Sequence, residues 1–169
     1  MERRTPIIRV KQFTAAYDGV VLLNDLSFDV YGGEVFVILG GSGCGKSTML
    51  KHMIGLYQPA AGAILIDGED IVTAQGPRRL AILKKIGVMY QQGALFGSMT
   101  LLENVRLPLE EYTDLPNDAI DHIALMKLQV VGLGAAALKL PDEISGGMRK
   151  RAAIARAMAS ICSLATVAP

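Results

Sequence analysis

The stretch Gly40-Gly41-Ser42-Gly43-Cys44-Gly45-Lys46-Ser47 decides the fold of this 169-residue chain. It satisfies the pattern G-x-x-x-x-G-K-[ST] of a phosphate-binding loop, which follows a buried strand and opens a helix. The continuous apolar run 35–39 precedes the loop, and apolar residues at helical spacing over 47–54 follow it. Strand, glycine-rich loop and helix together predict an α/β core that holds an anion.

Each residue type in this loop has its own chemical task. The glycines let the backbone turn tightly and aim N–H groups inward, at a helix N-terminus where the macrodipole also favours phosphate. Lys46 is expected to reach the β- and γ-phosphates, the Ser47 hydroxyl to ligate Mg²⁺, and Thr48 to add a donor near the α-phosphate. A glycine-rich turn that binds nothing is the alternative, and the correct flanking elements argue against it. The expected nucleotide-binding residues are Gly40, Gly41, Ser42, Gly43, Cys44, Gly45, Lys46, Ser47 and Thr48.

Hydrophobic periodicity places further elements on both sides of the loop. The first two predicted strands are antiparallel about a turn at Asp18-Gly19, and the run 35–39 is expected to be buried on both faces of a mainly parallel sheet. Strands are predicted at 7–10, 26–30, 35–39, 63–66 and 86–90, and helices at 47–54, 78–85, 101–105, 118–128 and 149–159. The fold class is therefore α/β, with a helical part from about residue 100.

Composition excludes several classes of function. With 17 Lys and Arg against 16 Asp and Glu, the net charge of +1 provides no global field for nucleic acid. The apolar runs fall short of the roughly 18 residues that span a bilayer, and no signal-peptide pattern follows the N-terminus. Cys44 and Cys162 fit a reducing compartment. We therefore expect a cytosolic protein without a nucleic-acid partner.

A second motif narrows the class of nucleotide-binding protein. Glu143-Ile144-Ser145-Gly146-Gly147-Met148-Arg149-Lys150-Arg151 resembles the L-S-G-G-Q signature of ABC-type ATPases, with Ile for Leu and Met for Gln. The resemblance implies an ABC-type P-loop core that binds ATP and Mg²⁺ and couples ATP hydrolysis to transport. It also implies that Ser145, Gly146, Gly147 and Met148 meet the γ-phosphate of ATP held by a second copy in a head-to-tail homodimer. For Ser145 alone, an ordinary helix N-cap is the alternative.

Two further positions match this family. Gln91 resembles the Q-loop glutamine, which the family places near Mg²⁺ and the attacking water, and whose loop touches the membrane subunit. It is the catalytic candidate and, with Ser47, the Mg²⁺ candidate; Gln92 is the neighbouring alternative. Tyr17 resembles the aromatic residue that stacks on adenine, a contact worth about 1–3 kcal/mol by analogy with base-stacking platforms. A tyrosine that merely ends a strand is the alternative for Tyr17.

A finer resemblance concerns the segments 91–96, 100–109 and 111–116. They look like the ATP-binding subunits of bacterial phospholipid-trafficking systems that work with MCE proteins, also described as organic-solvent-resistance transporters. This implies an integral membrane permease and an MCE-type lipid-binding protein as partners, at the cytoplasmic face of the inner membrane. The pair Leu95-Phe96 suits a hydrophobic docking site, and burial in the core is the alternative. A non-transport, regulatory ABC protein is the alternative, and the near-zero net charge argues against DNA work.

Near its end the sequence departs from the family pattern. The family has an apolar strand ending in Asp-Glu, called Walker B, and a later switch histidine, whereas no acidic residue follows Glu143 here and His52 and His122 precede the signature. We therefore predict one incomplete nucleotide-binding domain over 1–169. Its expected parts are an N-terminal antiparallel β subdomain with the P-loop core (1–95), a helical signature subdomain (96–159) and a non-family tail (160–169). On these residues we expect nucleotide binding without hydrolysis and marginal folding; an inactive truncated module is the alternative.

Overall fold

The computed structural model describes residues 4–91 and 93–162 of the chain. The chain divides between Leu83 and Lys84 into two compact units, and each unit is described by itself. The expected tail 160–169 and the alternative glutamine Gln92 lie largely or wholly outside the described residues.

The first unit contains an antiparallel sheet of four strands. These strands, in the spatial order β2-β1-β3-β4, are β1 (Pro6–Tyr17), β2 (Val20–Tyr31), β3 (Ala61–Ile66) and β4 (Glu69–Asp70). Asp18 and Gly19 both adopt positive φ, 49° and 79°, as a tight hairpin turn of matching twist requires. The predicted antiparallel opening is confirmed, with strands longer than the sequence pattern indicated.

A bulge in β1 brings its large side chains to one face. Val10 and Phe13 are both buried although they are three positions apart, because the register shifts between them and Gln12 adopts a φ of 46°. Gly62 of β3 lies against this bulge. A Cβ there would stand 2.5 Å from the Lys11 carbonyl oxygen, so only glycine lets the two strands approach this closely.

Two short helices complete the first unit. Helix α1 (Lys46–Met53) buries Met49 and His52, and helix α2 (Gly76–Leu83) buries Ile82. Arg79 of α2 donates hydrogen bonds to the Gly55 carbonyl and, at 3.0 Å, to the Ile71 carbonyl. The arginine therefore ties α2 to the chain that follows α1.

The predicted buried parallel strands at 35–39 and 86–90 do not form. Neither run is a strand, and in the first the side chains of Val35 and Leu39 are 92% and 86% exposed. A strand needs a neighbour to complete its ladder of backbone hydrogen bonds, and no described segment pairs with either run. The expectation of a mainly parallel sheet is wrong for the described residues, whose strand pairs are all antiparallel.

The second unit is helical, and its predicted helices are confirmed. It contains α3 (Leu101–Tyr112), α4 (Asn117–Val130) and α5 (Gly146–Cys162), with 3₁₀ turns at Gly134–Ala136 and Pro141–Glu143. Alanines on α5 let that helix pack close to its neighbours. The buried core residues are Leu101, Val105, Leu109, Ile120, Ala124, Leu128, Leu133, Ala136, Ala137, Ile144, Ala152, Ala155 and Ala159. No helix in the described ranges is long and apolar enough to cross a membrane.

The fully buried Asn104 organises the loop that enters α3. Its amide donates to the carbonyls of Phe96 (3.1 Å), Met99 (3.1 Å) and Thr100 (2.9 Å), while its carbonyl accepts the Phe96 N–H at 2.8 Å. Thr100 then caps α3 in a reciprocal capping box with Glu103. One buried amide therefore fixes residues 96–100, the loop that leads from the Q-loop glutamine region into α3.

We expect Asn104→Ala to lower the free energy of unfolding by about 2–4 kcal/mol, because each buried backbone group left without a partner costs about 1–3 kcal/mol. Urea denaturation followed by far-ultraviolet circular dichroism measures this loss. Asn24→Ala, at an exposed position on β2, is the control and should change the stability by less than about 0.5 kcal/mol. Equal effects of the two substitutions would contradict the assigned role of Asn104.

Candidate functional site

The phosphate-binding loop ends at a glycine whose backbone conformation L-amino acids with side chains rarely adopt. Gly45 has a φ of 94° and stands at the N-cap of α1, where a Cβ would meet the Leu23 Cδ2 atom of β2 at 2.7 Å. The missing side chain lets α1 begin directly against β2. In the described residues no side chain caps α1, so its first backbone N–H groups stay available to an anion.

Lys46 lies folded over the loop. Its Nζ atom donates to the carbonyl oxygens of Gly40 at 2.7 Å and Gly41 at 2.6 Å, and it stands 3.4 Å from the Cys44 Sγ atom. The structure therefore brings together the lysine, both leading glycines and the cysteine that the motif predicted. Carbonyl dipoles hold the ammonium at the place where phosphate oxygens would compete for it.

Ser47 and Thr48 form the first turn of α1 together with Lys46. Ser42 and Ser47 are exposed, and Thr48 is half-buried. Mg²⁺ usually takes one or two protein oxygens and completes its shell with phosphates and water. The open Ser47 hydroxyl fits one such position, and the described residues hold no cluster of three or more His, Cys, Asp or Glu side chains that would bind a metal alone.

Tyr17, the predicted base-stacking residue, ends β1 at the edge of an aromatic cluster. Its ring centroid lies 6.2 Å from that of His52 on α1 and 5.7 Å from that of Tyr57, both in edge-on arrangements. Burial raises the pKa of the Tyr17 phenol above its ordinary value, and Tyr57 adds to the rise. Even so, the side chain stays 37% exposed, which leaves ring surface open for stacking. The structure therefore places Tyr17 beside the helix that the phosphate loop opens.

The signature motif forms the N-terminus of α5 in the second unit. The Ser145 hydroxyl accepts the Met148 N–H at 3.3 Å, so the serine is a helix N-cap as its simpler interpretation predicted. Ser145, Gly146 and Gly147 are exposed, and a Cβ at Gly146 would meet nothing within 4 Å. Met148 instead packs against the helical core. The packing of this unit does not require glycine at Gly146, and it leaves free space in front of the cap.

The Q-loop segment also belongs to the second unit, where Gln91 is exposed. Arg156 of α5, which sequence analysis missed, donates to the Gly93 carbonyl at 2.9 Å and stands 6.0 Å from the Phe96 ring centroid. Burial lowers the pKa of this guanidinium. Sequence alone gives no signal for this contact, because 63 positions separate its two ends.

Of the pair Leu95-Phe96, predicted to be exposed for docking, only Phe96 is exposed. Leu95 packs against the helical core, whereas Phe96 is exposed beside a cavity of about 590 Å³. The cavity is lined mainly by apolar and aromatic side chains, among them Tyr90, Leu107 and Tyr112. The docking interpretation of this loop therefore rests on Phe96 and the cavity alone.

Comparisons with known proteins agree with these features. A family model described as ABC transporter matches residues 23–165. The probable ribonucleotide transport ATP-binding protein mkl of Mycobacterium leprae is 48% identical over 151 residues, which are 89% of this chain and 44% of that protein. The intermembrane phospholipid transport system ATP-binding protein MlaF of Haemophilus influenzae is 42% identical over 153 residues, which are 90% of this chain and 58% of that protein. The chain thus spans about half the length of these curated relatives.

Solved structures of ATP-binding cassettes share the fold. The dimeric post-hydrolysis state of the cassette MJ0796, bound to ADP and Pi, superposes with a TM-score of 0.82 at 32% identity and covers 90% of this chain and 69% of its own. CbiO1 of Clostridium perfringens, part of the transporter complex cbiONQ, gives a TM-score of 0.81 at 28% identity, with coverages of 92% and 62%.

Proposed function

The chain belongs to the ABC transporter family, and from that premise we propose that it is the ATP-binding portion of a transporter's nucleotide-binding subunit. The observation that carries the proposal is the phosphate loop itself. Gly45 starts α1 against β2, and the Lys46 ammonium lies 2.6 to 2.7 Å from two loop carbonyls, ready to exchange them for phosphate oxygens.

Different residues of the first unit bind the phosphates and the base of a nucleoside triphosphate. The first N–H groups of α1 and the Lys46 ammonium bind the phosphate oxygens through charge-assisted hydrogen bonds. The Ser47 hydroxyl would hold Mg²⁺, which would supply charge neutralisation for the phosphates. Tyr17 stacks its exposed ring surface on adenine. Gln91 stays the candidate for the glutamine that the family places near Mg²⁺ and the attacking water.

A second copy of the subunit completes the site at the signature. Ser145, Gly146 and Gly147 are exposed at the N-terminus of a 17-residue helix, whose partial positive charge favours an anion. The free space at Gly146 allows a phosphate held by the other subunit to approach, and Met148 fixes the start of the helix by packing beneath it. The dimeric cassettes of the same fold support a homodimer of this kind.

We further propose a permease as the partner at Phe96 and phospholipid or another hydrophobic compound as the cargo. An exposed aromatic side chain beside an apolar cavity suits an amphipathic segment of a membrane subunit. The relatives named for phospholipid transport and the resemblance of 91–96, 100–109 and 111–116 support a lipid cargo, while the relatives of higher identity are named for ribonucleotide transport. An MCE-type lipid-binding protein and the cytoplasmic face of the inner membrane complete this proposal.

We expect Lys46→Ala to weaken ATP binding by about 1.5–3 kcal/mol, because charge-assisted hydrogen bonds are lost, while adenosine binding changes by less than about twofold. Titration calorimetry with each ligand measures the difference. Lys11→Ala, at an exposed position on β1, removes a lysine outside the loop and is the control. Equal losses for ATP and adenosine would remove Lys46 from the phosphate site.

We expect Ser145→Arg to abolish ATP-dependent dimerisation while leaving ATP binding to one subunit intact, because the longer side chain fills the opposing phosphate position. The measurement is light scattering of a full-length cassette that carries this sequence, on a background that does not hydrolyse ATP. Ser145→Thr keeps the capping oxygen and is the control for helix stability. Continued ATP-dependent dimerisation of the arginine variant would exclude the cross-subunit role of Ser145.

A further inference from the structure

We infer that His52 is a positioning residue for base recognition: it fixes the Tyr17 ring to α1, so that the base platform and the phosphate loop form one rigid site. The inference rests on the proposed nucleotide function and adds to it a specificity role for a residue outside the family's motifs. His52 is 2% exposed in the last turn of α1, six residues after Lys46.

The imidazole of His52 is anchored in the first turn of α1. Its Nδ1 atom lies 2.8 Å from the Thr48 carbonyl oxygen. A carbonyl only accepts hydrogen bonds, so Nδ1 must carry the proton and donate. The contact fixes both the tautomer and the orientation of the ring. It also joins the imidazole to the residue expected to lie beside the α-phosphate.

The same imidazole contacts the base platform through its ring. Its centroid lies 5.0 Å from that of Phe13 and 6.2 Å from that of Tyr17, with interplanar angles of 76° and 62°. Tyr57 closes the cluster at 5.8 Å from His52 and 5.7 Å from Tyr17. Edge-to-face pairs at these separations are attractive and fix relative ring orientation. Tyr17 is therefore braced on two sides, by His52 and by Tyr57.

A leucine at this position would fill space in the core but lacks both contacts. It has no N–H for the Thr48 carbonyl and no polarised ring edge for Tyr17. If the role of His52 were purely structural, His52→Leu would lower stability, or would weaken the binding of every ligand equally. A positioning role predicts a loss confined to ligands that carry a base, because only those ligands use Tyr17.

The test compares Mg²⁺-ATP with Mg²⁺-tripolyphosphate, which has phosphates and no base, by titration calorimetry on the 169-residue chain. We expect His52→Leu to raise the Kd for ATP by about threefold to tenfold, the range that one or two aromatic ring contacts correspond to. The Kd for tripolyphosphate should change by less than about twofold. An equal loss for both ligands would overturn the inference.

A double-mutant cycle shows whether His52 acts through Tyr17. Tyr17→Leu alone should also weaken ATP and spare tripolyphosphate, and adding His52→Leu to it should cost less than about twofold more, because the side chain it positions is already gone. Full additivity of the two losses would overturn the inference. So would an unchanged ATP affinity in Tyr17→Leu.

Two further variants control for folding and for the chemistry of the substitution. His52→Gln keeps a donor toward the Thr48 carbonyl but lacks the ring, and it replaces His52→Leu with the same expected result if the leucine variant does not melt cooperatively. His122→Leu is the matched control, because exposed His122 of α4, a helix of the second unit, makes the equivalent contact with the Asp118 carbonyl. It should leave both affinities unchanged.

Failure of the wild-type chain to bind tripolyphosphate would instead reject the proposed phosphate site. The failure of the proposed function is therefore distinguishable from the failure of the His52 inference.

Discussion

The absence of a side chain at Gly45 is the constraint on which the nucleotide-facing part of the first unit depends. The residue is held at a φ of 94° with Leu23 of β2 filling the space where a Cβ would go. Helix α1 therefore starts against the sheet, with its first N–H groups uncapped. The position of this start determines where Lys46 folds over the loop and where His52, later on the same helix, enters the aromatic cluster of β1.

Helix α5 has a comparable role in the second unit. Its alanines allow close packing against the core, while two positions along it carry different groups. Ser145 caps the first turn, and Arg156, about three turns and 16 Å further along, holds the Gly93 carbonyl of the Q-loop segment. The signature and the Q-loop segment are therefore both held by helix α5. Asn104 fixes the other end of the same segment through hydrogen bonds between its side-chain amide and the Phe96 backbone.

Local patterns predicted the local structure well. Alternating residues gave the hairpin of β1 and β2, helical spacing gave the helices of both units, and the glycine and lysine spacing located the loop. The apolar run 35–39 failed because periodicity reports which side chains can be buried, whereas a strand also needs a partner along its backbone. Contacts between distant segments, such as Arg156 with Gly93 or His52 with Phe13, cannot be predicted from the sequence pattern of either segment alone. The division at residue 95 and the roles of Tyr17, the loop residues, Gln91 and the signature residues stay predictions.

The aromatic cluster gives the protein an optical property. The chain has five tyrosines and no tryptophan, so no indole is present to accept their excitation energy. Two of these five, Tyr17 and Tyr57, lie in ring contact at the predicted base platform. A purine stacked on Tyr17 would quench the emission of that tyrosine, so the unlabelled protein carries its own reporter of site occupancy.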